Sequence, residues 1–243
     1  MRFYFRARGP YALWCPAWLR ADPLSEPVPT PSALGGLLRS LVWKPEWSWE
    51  ICRIVVLSPI RYETLARSAH KSLVDGRTGA YEAMPQRQTV LADVDYLIEA
   101  RVHAHMAAVD PARRAVGRTQ GVYEEIIHRN LTRGVPFGVP HGGRSEFVLD
   151  VEYLGGAPAV GEFHPIDRTE PLGPMLIELL HQNVGGAFAK NERVVPIYRR
   201  LHLNRGVVEV PSDAYERVRD HNLAKLLRHR AAVGHRAMTG GAA

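Results

Sequence analysis

Prolines constrain one stretch of this 243-residue sequence more tightly than any other. Residues 15–31 contain five prolines, too many for a regular element, so an extended loop is expected there. Thr30 is a good N-cap, and Pro31 suits the first helical position, where its missing N–H costs nothing. Leucines then recur at helical spacing, at Leu34, Leu37, Leu38 and Leu41. The pattern predicts a short amphipathic helix that buries one face and stops before Pro45.

Strand patterns lie on both sides of this helix. Residues 1–8 alternate between apolar and polar, 49–60 are β-branched and apolar, and 90–106 alternate again. A second helix is expected over 123–133 and a further strand over 146–153. Strand, helix, strand, strand, helix, strand is the order of a ferredoxin-like or RRM-type unit. We therefore predict an α+β fold with such a core.

Two parts of the chain depart from that core. Residues 65–88 are basic, contain glycines and are weakly apolar, so we expect a hairpin with a positive tip; a solvated loop is the alternative. After residue 153, turns rich in Gly and Pro alternate with short strands, and a last helix begins at Ser212. We divide the chain into a core, 1–153, and a β-rich and helical extension, 154–243, packed on it.

The charge of the chain favours a nucleic-acid partner. The net charge is +6, the pI is near 9.5, and arginine heavily outnumbers lysine. Basic side chains that approach phosphates release counterions, and a pI above about 9 is typical of nucleic-acid-binding proteins. The planar guanidinium suits phosphates and base edges. Charge alone leaves a basic globular protein without a nucleic-acid role as an equal alternative.

Several other functions find no support in the sequence. The apolar runs fall short of the roughly 20 residues of a spanning helix, and residues 2–6 do not resemble a signal peptide, so a cytoplasmic protein is expected. Cys15 and Cys52 do not make a disulfide framework. No phosphate-binding loop or nucleophile elbow is present, so we expect no cofactor.

Candidate catalytic groups are few. His103/His105 and Asp93/Asp95 each share a strand face but lack a matched third ligand, so we expect no metal site. Metal-independent RNA cleavage needs a base, an acid and a cation. The second helix offers these groups in Tyr123, His128 and Arg129. The same residues make an ordinary helix surface, which is the interpretation we favour.

Four segments of the sequence resemble the CRISPR-associated Cas-five family of the RAMP superfamily, in its type I-C form. They are PVPTPSALGGLLRSLVWKP, IVVLSPIRYET, QRQTVLADVDYLIEARV and GVYEEIIHRNLTRGVPFGVPHGGRSEF. These blocks cover roughly residues 1 to 153, and the C-terminal third matches only loosely. Together they are far more specific than any single motif.

The resemblance implies an RRM-like core with a thumb hairpin, here at about 65–90, at one end of the Cascade surveillance complex. There the family grips the 5′ handle of the CRISPR RNA (crRNA) and contacts the Cas-seven-type backbone and Cas-eight-type large subunits, with target DNA reached through the complex. Aromatic residues of the sheet are expected to stack on bases. The RNA-binding residues that we predict are Trp43, Lys44, Arg67, His70, Lys71, Arg77, Arg87, Arg118, Arg129 and Arg133.

The same resemblance contains a departure at the catalytic positions. Type I-C relatives cut the precursor RNA with a tyrosine before Trp-Lys-Pro and a lysine–histidine pair at the start of the second helix. Here those positions hold Val42, Val122 and Tyr123. Because a valine neither donates a proton nor stabilises a phosphorane charge, we predict that the chain binds the handle and that another nuclease matures the RNA. The alternative is a metal-independent pre-crRNA endoribonuclease that uses Tyr123, His128 and Arg129.

Overall fold

The computed structural model describes residues 1–16, 19, 23–70, 83–106, 117, 119–134, 137–182, 193–225 and 227. Its strands are β1 (Arg2–Ala12), β2 (Trp47–Val56), β3 (Arg61–His70), β4 (Ala83–Ala104), β5 (Asp150–Tyr153), β6 (Glu170–Gln182), β7 (Arg193–Asn204) and β8 (Val207–Glu209). Its helices are α1 (Pro31–Leu41), α2 (Gln120–Thr132) and α3 (216–225), and a 3-10 turn, Ser212–Tyr215, precedes α3.

The strands form one antiparallel sheet in the order β5-β1-β4-β2-β8-β7-β6, and β3 pairs with β4 beside this path. The predicted α+β class is confirmed, and the elements β1, α1, β2, β4, α2 and β5 follow the expected order. The arms of the expected hairpin are β3 and the start of β4, paired from Arg61↔Ala92 to His70↔Ala83. The sheet continues through β8 into β6 and β7, strands of 13 and 12 residues, which are longer than the short strands expected there.

The core lies between α1 and one face of the sheet. Thr30 caps α1 as predicted, since its side chain accepts a hydrogen bond from the Ala33 N–H at 3.2 Å. Leu34 and Leu38 are fully buried against the sheet. Aromatic rings fill this layer, with Phe3 edge-on to Trp49 at 5.4 Å between centroids. Such T-shaped pairs stabilise a core beyond the area they bury.

The opposite side of the sheet carries ion pairs, and we call it the outer face. Its defining pairs are Arg6 with Asp95, Arg53 with Glu209, and Arg101 with Glu50. Among the aromatic residues of β1, Tyr4 lies on this face, half-buried between Arg2 and Arg6. Because side chains alternate along a strand, the rings of β1 and β2 that alternate with these charges point into the core, and Phe3, Phe5, Trp47 and Trp49 are at most 3% exposed. This burial excludes these four rings from stacking on bases, and base stacking by other aromatic residues of the sheet stays a prediction.

Glu50 is the most buried carboxylate of the outer face, at 1% exposure. Arg101 donates to it at 2.7 Å, and Arg219 of α3 donates twice, at 2.6 and 2.8 Å. Burial raises the pKa of Glu50, but the hydrogen bonds from Arg219 and Arg101 outweigh burial and lower the pKa below its usual value. This triad fastens α3 to the sheet. Across the described ranges, no helix is long and apolar enough to span a membrane.

Candidate nucleic-acid interface

A cavity of about 510 Å³ lies where the end of α1 meets the last turn of α2 and strand β5. Leu41 and Val42 form one wall, Leu131 and Gly134 a second, and Tyr153 a third. We call this cavity and its rim the α1–α2 cleft. Its walls mix aliphatic side chains with the polar Asn130, Thr132 and Asp150, and they contain no lysine or arginine, so positive charge can come only from the rim.

The chain leaves α1 in a fixed conformation at this cleft. Val42 ends the helix with extended backbone angles, φ −143° and ψ 124°, and its N–H donates to the Leu38 carbonyl. The Val42 carbonyl accepts a hydrogen bond from Trp49 Nε1 at 3.1 Å. These bonds direct the next two residues outward: Trp43 is 48% exposed, and Lys44 is exposed with its Nζ 5.9 Å from the Trp47 ring centroid.

Helix α2 presents cations on the face that it turns away from the core. Tyr123 and Ile127 are fully buried, and Arg129 and Arg133 lie on the exposed side. Gly134, at φ 66°, ends the helix, and its N–H donates to the Leu131 carbonyl at 3.0 Å. A glycine takes this left-handed conformation without the strain that a side chain would add.

The cations of the cleft have no carboxylate partners in the described ranges. Among the residues that the structure describes, Lys44, Arg129 and Arg133 form no ion pair. This differs from the outer face, where Arg6, for example, binds Asp95 through two hydrogen bonds of 2.6 and 3.0 Å. A cation without an internal partner keeps its full charge for a ligand, and phosphates are the ligands that such clusters attract.

His128 and Tyr153 form a hydrogen-bonded pair at the edge of the cleft. His128 Nδ1 lies 2.6 Å from Tyr153 Oη, and Tyr153 Oη also donates to the Gly155 carbonyl at 3.3 Å. If the single hydroxyl proton goes to Gly155, Nδ1 carries a proton and Nε2 is left with a lone pair. Burial raises the pKa of Tyr153, so its hydroxyl stays protonated near neutral pH.

The predicted catalytic group Tyr123 does not join this pair. Its ring is fully buried and packs 5.8 Å from that of Trp47, on the core side of α2. His128 and Arg129 follow on the same helix, half-buried and exposed respectively. At the positions where the family tyrosine and lysine were expected, Val42 is 8% exposed and Val122 is half-buried.

The remaining predicted RNA-binding residues lie on or beyond the hairpin. Arg67 is 40% exposed, but it donates to Glu146 Oε1 at 2.8 Å. Arg87 is exposed on β4. The side chains of His70, Lys71, Arg77 and Arg118 lie outside the described residues.

The histidine and aspartate pairs considered as metal ligands have other surroundings. His103 and His105 meet edge-on at 5.3 Å between ring centroids, and burial, with the neighbouring His103, lowers the pKa of His105 to about 4. Asp95 binds Arg6, and Asp93 binds Arg61. The described part of the chain contains no group of three or more histidine, cysteine, aspartate or glutamate side chains arranged to hold a metal ion.

Two residues at this surface were missed from the sequence. Phe137 is 76% exposed beside the end of α1, and Tyr153 binds His128 from β5. Phe137 follows α2 in a loop without periodic spacing, so no pattern marks it. The partner of His128 depends on strand β5 packing beside α2, and that contact has no signature in the spacing of residues.

Comparison with known proteins agrees with this architecture. The family profile described as CRISPR-associated protein (Cas_Cas5) matches residues 4–195. A protein of Thermus thermophilus named CRISPR pre-crRNA endoribonuclease Cas5d is 30% identical, with 88% of this chain and 93% of that protein aligned. The protein of the same name from Mannheimia succiniciproducens is 29% identical over 87% of this chain and 95% of its own length.

A solved structure described as a CRISPR-associated protein has the same fold. It superposes with a TM-score of 0.62 at 19% identity, covering 87% of this chain and 92% of its own. At that identity the likeness concerns the fold alone. The match of the family profile over most of the chain confirms the predicted relationship: the chain belongs to the Cas5d family of CRISPR-associated Cas5 proteins.

Proposed function

We propose that this protein binds crRNA as a subunit of a type I-C-like Cascade complex, gripping the 5′ handle at the α1–α2 cleft. In this proposal it contacts the Cas-seven-type backbone and Cas-eight-type large subunits and does not cut the precursor RNA by the tyrosine–lysine mechanism expected from its family. The observation that carries the proposal is that three exposed cations without an ion pair among the described residues, Lys44, Arg129 and Arg133, lie within two residues of chain positions that line the cavity.

The proposal assigns the core, the thumb and the C-terminal extension to separate elements of the fold. The unit of β1, α1, β2, β4, α2 and β5 serves as the RRM-type core, within residues 1–153. The β3–β4 hairpin serves as the thumb, at about 65–90, and β6 to α3 belong to the extension, 154–243. Arg87 on the hairpin is exposed and adds positive charge to that arm. Arg67 would first have to leave Glu146 before it could bind a phosphate.

The proposal that this chain does not cut RNA by the mechanism of its family rests on the side chains at two positions. Cleavage through the 2′-hydroxyl needs groups that move protons and a cation that stabilises the dianionic phosphorane. Val42 and Val122 offer neither, and the buried ring of Tyr123 packs against Trp47. The rim cations can hold a phosphate, but binding the ground state and the transition state equally well does not accelerate cleavage.

A second candidate function is metal-independent endoribonuclease activity with displaced catalytic groups. The observation that favours it is the 2.6 Å contact between His128 Nδ1 and Tyr153 Oη beside the cleft, next to Arg129. With Nδ1 protonated, Nε2 is able to accept a proton from a 2′-hydroxyl, and Arg129 is able to stabilise the phosphorane. Both relatives compared above are named as pre-crRNA endoribonucleases.

One assay distinguishes the two candidates. The purified protein is incubated with its repeat RNA in EDTA, and the products are resolved at single-nucleotide length. We expect shifted but intact RNA. Cleavage at one position that is lost in both His128→Ala and Tyr153→Phe, and retained in the control Val160→Ala, would replace our proposal with the second candidate. Val160 is fully exposed in the loop after β5, so its truncation should leave the fold unchanged.

A further inference from the structure

Large aromatic side chains are exposed at one end of α1. Phe137 is 76% exposed and Trp43 is 48% exposed, whereas Trp14, Trp47 and Trp49 are at most 3% exposed. Val139, 64% exposed, continues the apolar surface. Burying such side chains is worth about 25 cal/mol per Å² of apolar area. Neighbouring exposed aromatics therefore mark a surface that gains free energy when a ligand covers it.

Backbone hydrogen bonds hold the chain at Phe137 beside the end of α1, two residues from Trp43. The Phe137 N–H donates to the Leu41 carbonyl at 3.1 Å, and the Gly138 N–H donates to the Ser40 carbonyl at 2.7 Å. Trp43 lies two residues beyond Leu41, so the Cα atoms of Trp43 and Leu41 are at most about 7 Å apart. The loop is thus fastened to the last turn of α1, and binding there loses less conformational entropy than binding to a free loop.

The charges around these rings favour RNA over a protein partner. Lys44 follows Trp43 directly, Arg133 lies four residues before Phe137, and neither has a carboxylate partner in the described ranges. Aromatic rings flanked by cations match single-stranded nucleic acid, whose bases stack while its phosphates pair with the charges. An apolar protein patch would cover the rings but leave the cations desolvated and unpaired.

We propose that Trp43 and Phe137 form a stacking platform for unpaired bases at the rim of the α1–α2 cleft, which rests on the RNA-binding function proposed above. Lys44 and Arg133 bind the phosphates on either side. The platform recognises base faces and not base edges, so it tolerates any sequence. Its function is to hold unpaired nucleotides in a fixed register beside the cleft.

The test uses the full-length protein and a short single-stranded RNA that carries one 2-aminopurine, whose fluorescence falls when the base stacks. We expect quenching on binding to the wild type. Trp43→Ala and Phe137→Ala should each weaken binding by roughly 5- to 150-fold, the range for losing one stacked base. Trp43→Phe keeps an aromatic ring and should retain most of the quenching, whereas Phe137→Leu keeps apolar area alone and should lose it.

Two controls separate the platform from RNA binding in general. Lys44→Ala should reduce the salt dependence of binding while the quenching at saturation persists, and Val160→Ala should behave as wild type. If the wild type binds RNA but Trp43→Ala and Phe137→Ala match Val160→Ala in affinity and quenching, the stacking platform is overturned while the proposed function stands. The two rings would then be assigned to a contact with a protein partner. If the wild type binds no RNA, both proposals are overturned.

Discussion

The outer face of the sheet and the α1–α2 cleft both carry arginines, but they use them differently. On the outer face, Arg6, Arg53 and Arg101 are each bonded to a carboxylate on a neighbouring strand. At the cleft, Arg129 and Arg133 have no such partner among the described residues. The comparison teaches that a net charge of +6 does not locate a ligand. The exposed cations that lack a carboxylate partner beside a cavity are the ones to which we assign the RNA.

Strand register explains why the arginines of the outer face are bound to carboxylates. Arg101 lies directly opposite Glu50, and Arg53 lies opposite both Glu99 and Glu209 on its two neighbouring strands. Opposite charges at directly facing positions stabilise a sheet. Beside the end of α2, the carboxylate of Asp150 on β5 is taken by Arg8, and Arg129 and Arg133 form no ion pair among the described residues, so they remain available. Four substitutions probe the stability of the paired regions and the RNA affinity of the protein, from the largest expected effect to the smallest.

Replacing Glu50 by Gln should have the largest effect on stability. Arg101 and Arg219 would lose the buried carboxylate that they share, and breaking a buried ion pair by removing one partner costs roughly 3–5 kcal/mol. Urea unfolding monitored by circular dichroism measures this loss. At a temperature where the variant stays folded, its RNA affinity should equal that of the wild type; a selective loss of RNA affinity would give the outer face a binding role.

Acid should destabilise the protein through His105. Its pKa falls from 6.5 to about 4 in the folded state, so the unfolded chain binds the proton more readily between these values. This contribution to stability is complete above pH 6.5 and is lost as the pH falls towards 4, up to about 3 kcal/mol. The unfolding free energy should fall less between neutral and acid pH in His105→Gln than in the wild type. Equal pH dependence in both proteins would contradict this account.

Releasing Arg67 from its carboxylate partner tests whether the hairpin can contribute an RNA-binding cation. Glu146→Gln removes the carboxylate that Arg67 binds at 2.8 Å, and an exposed pair of this kind contributes only about 0–1 kcal/mol to stability. If RNA runs along the hairpin, the freed guanidinium should raise its affinity by about fivefold and steepen the salt dependence by about 0.7. Fluorescence anisotropy at several salt concentrations measures both, and an unchanged slope would remove Arg67 from the RNA path.

The smallest effect is expected at Gly36 on the exposed side of α1. A Cβ there would meet only the Arg39 guanidinium, at 4.0 Å, so alanine fits and should stabilise the helix by about 1 kcal/mol. Thermal unfolding measures the gain. RNA affinity should not change, because the proposed platform lies beyond the C-terminal end of the helix, and Gly36 is in its middle. A stabilised protein with weakened RNA binding would show instead that an RNA backbone passes over this glycine.

Local patterns predicted the local parts of this molecule well. The cap at Thr30, the leucine face of α1 and the two arms of the hairpin follow from spacing and residue type, and the quoted segments identified the family. The alternation of Arg2, Tyr4 and Arg6 with Phe3 and Phe5 already separates two faces of β1, so the buried position of the aromatics was available in the pattern.

Contacts between distant segments could not be predicted in this way. The partner of Arg219 lies 169 residues away on β2, and the bond between Phe137 and Leu41 joins a loop to a helix end far from it in sequence. Which arginines are paired depends on register and on how α2 packs. The number of arginines in the sequence is independent of both, so the unpaired cluster became visible only in three dimensions.

The most direct test of the central claim compares two triple variants that lose the same charge. Lys44→Ala, Arg129→Ala and Arg133→Ala remove the cations of the cleft, and Arg61→Ala, Arg168→Ala and Arg199→Ala remove three exposed arginines that are already ion-paired. The measurement is the slope of log affinity against log salt for the repeat RNA. We predict that the slope falls by about 2 in the cleft variant and stays near the wild-type value in the other. Equal slopes in the two variants would contradict the claim that the unpaired cations bind the RNA.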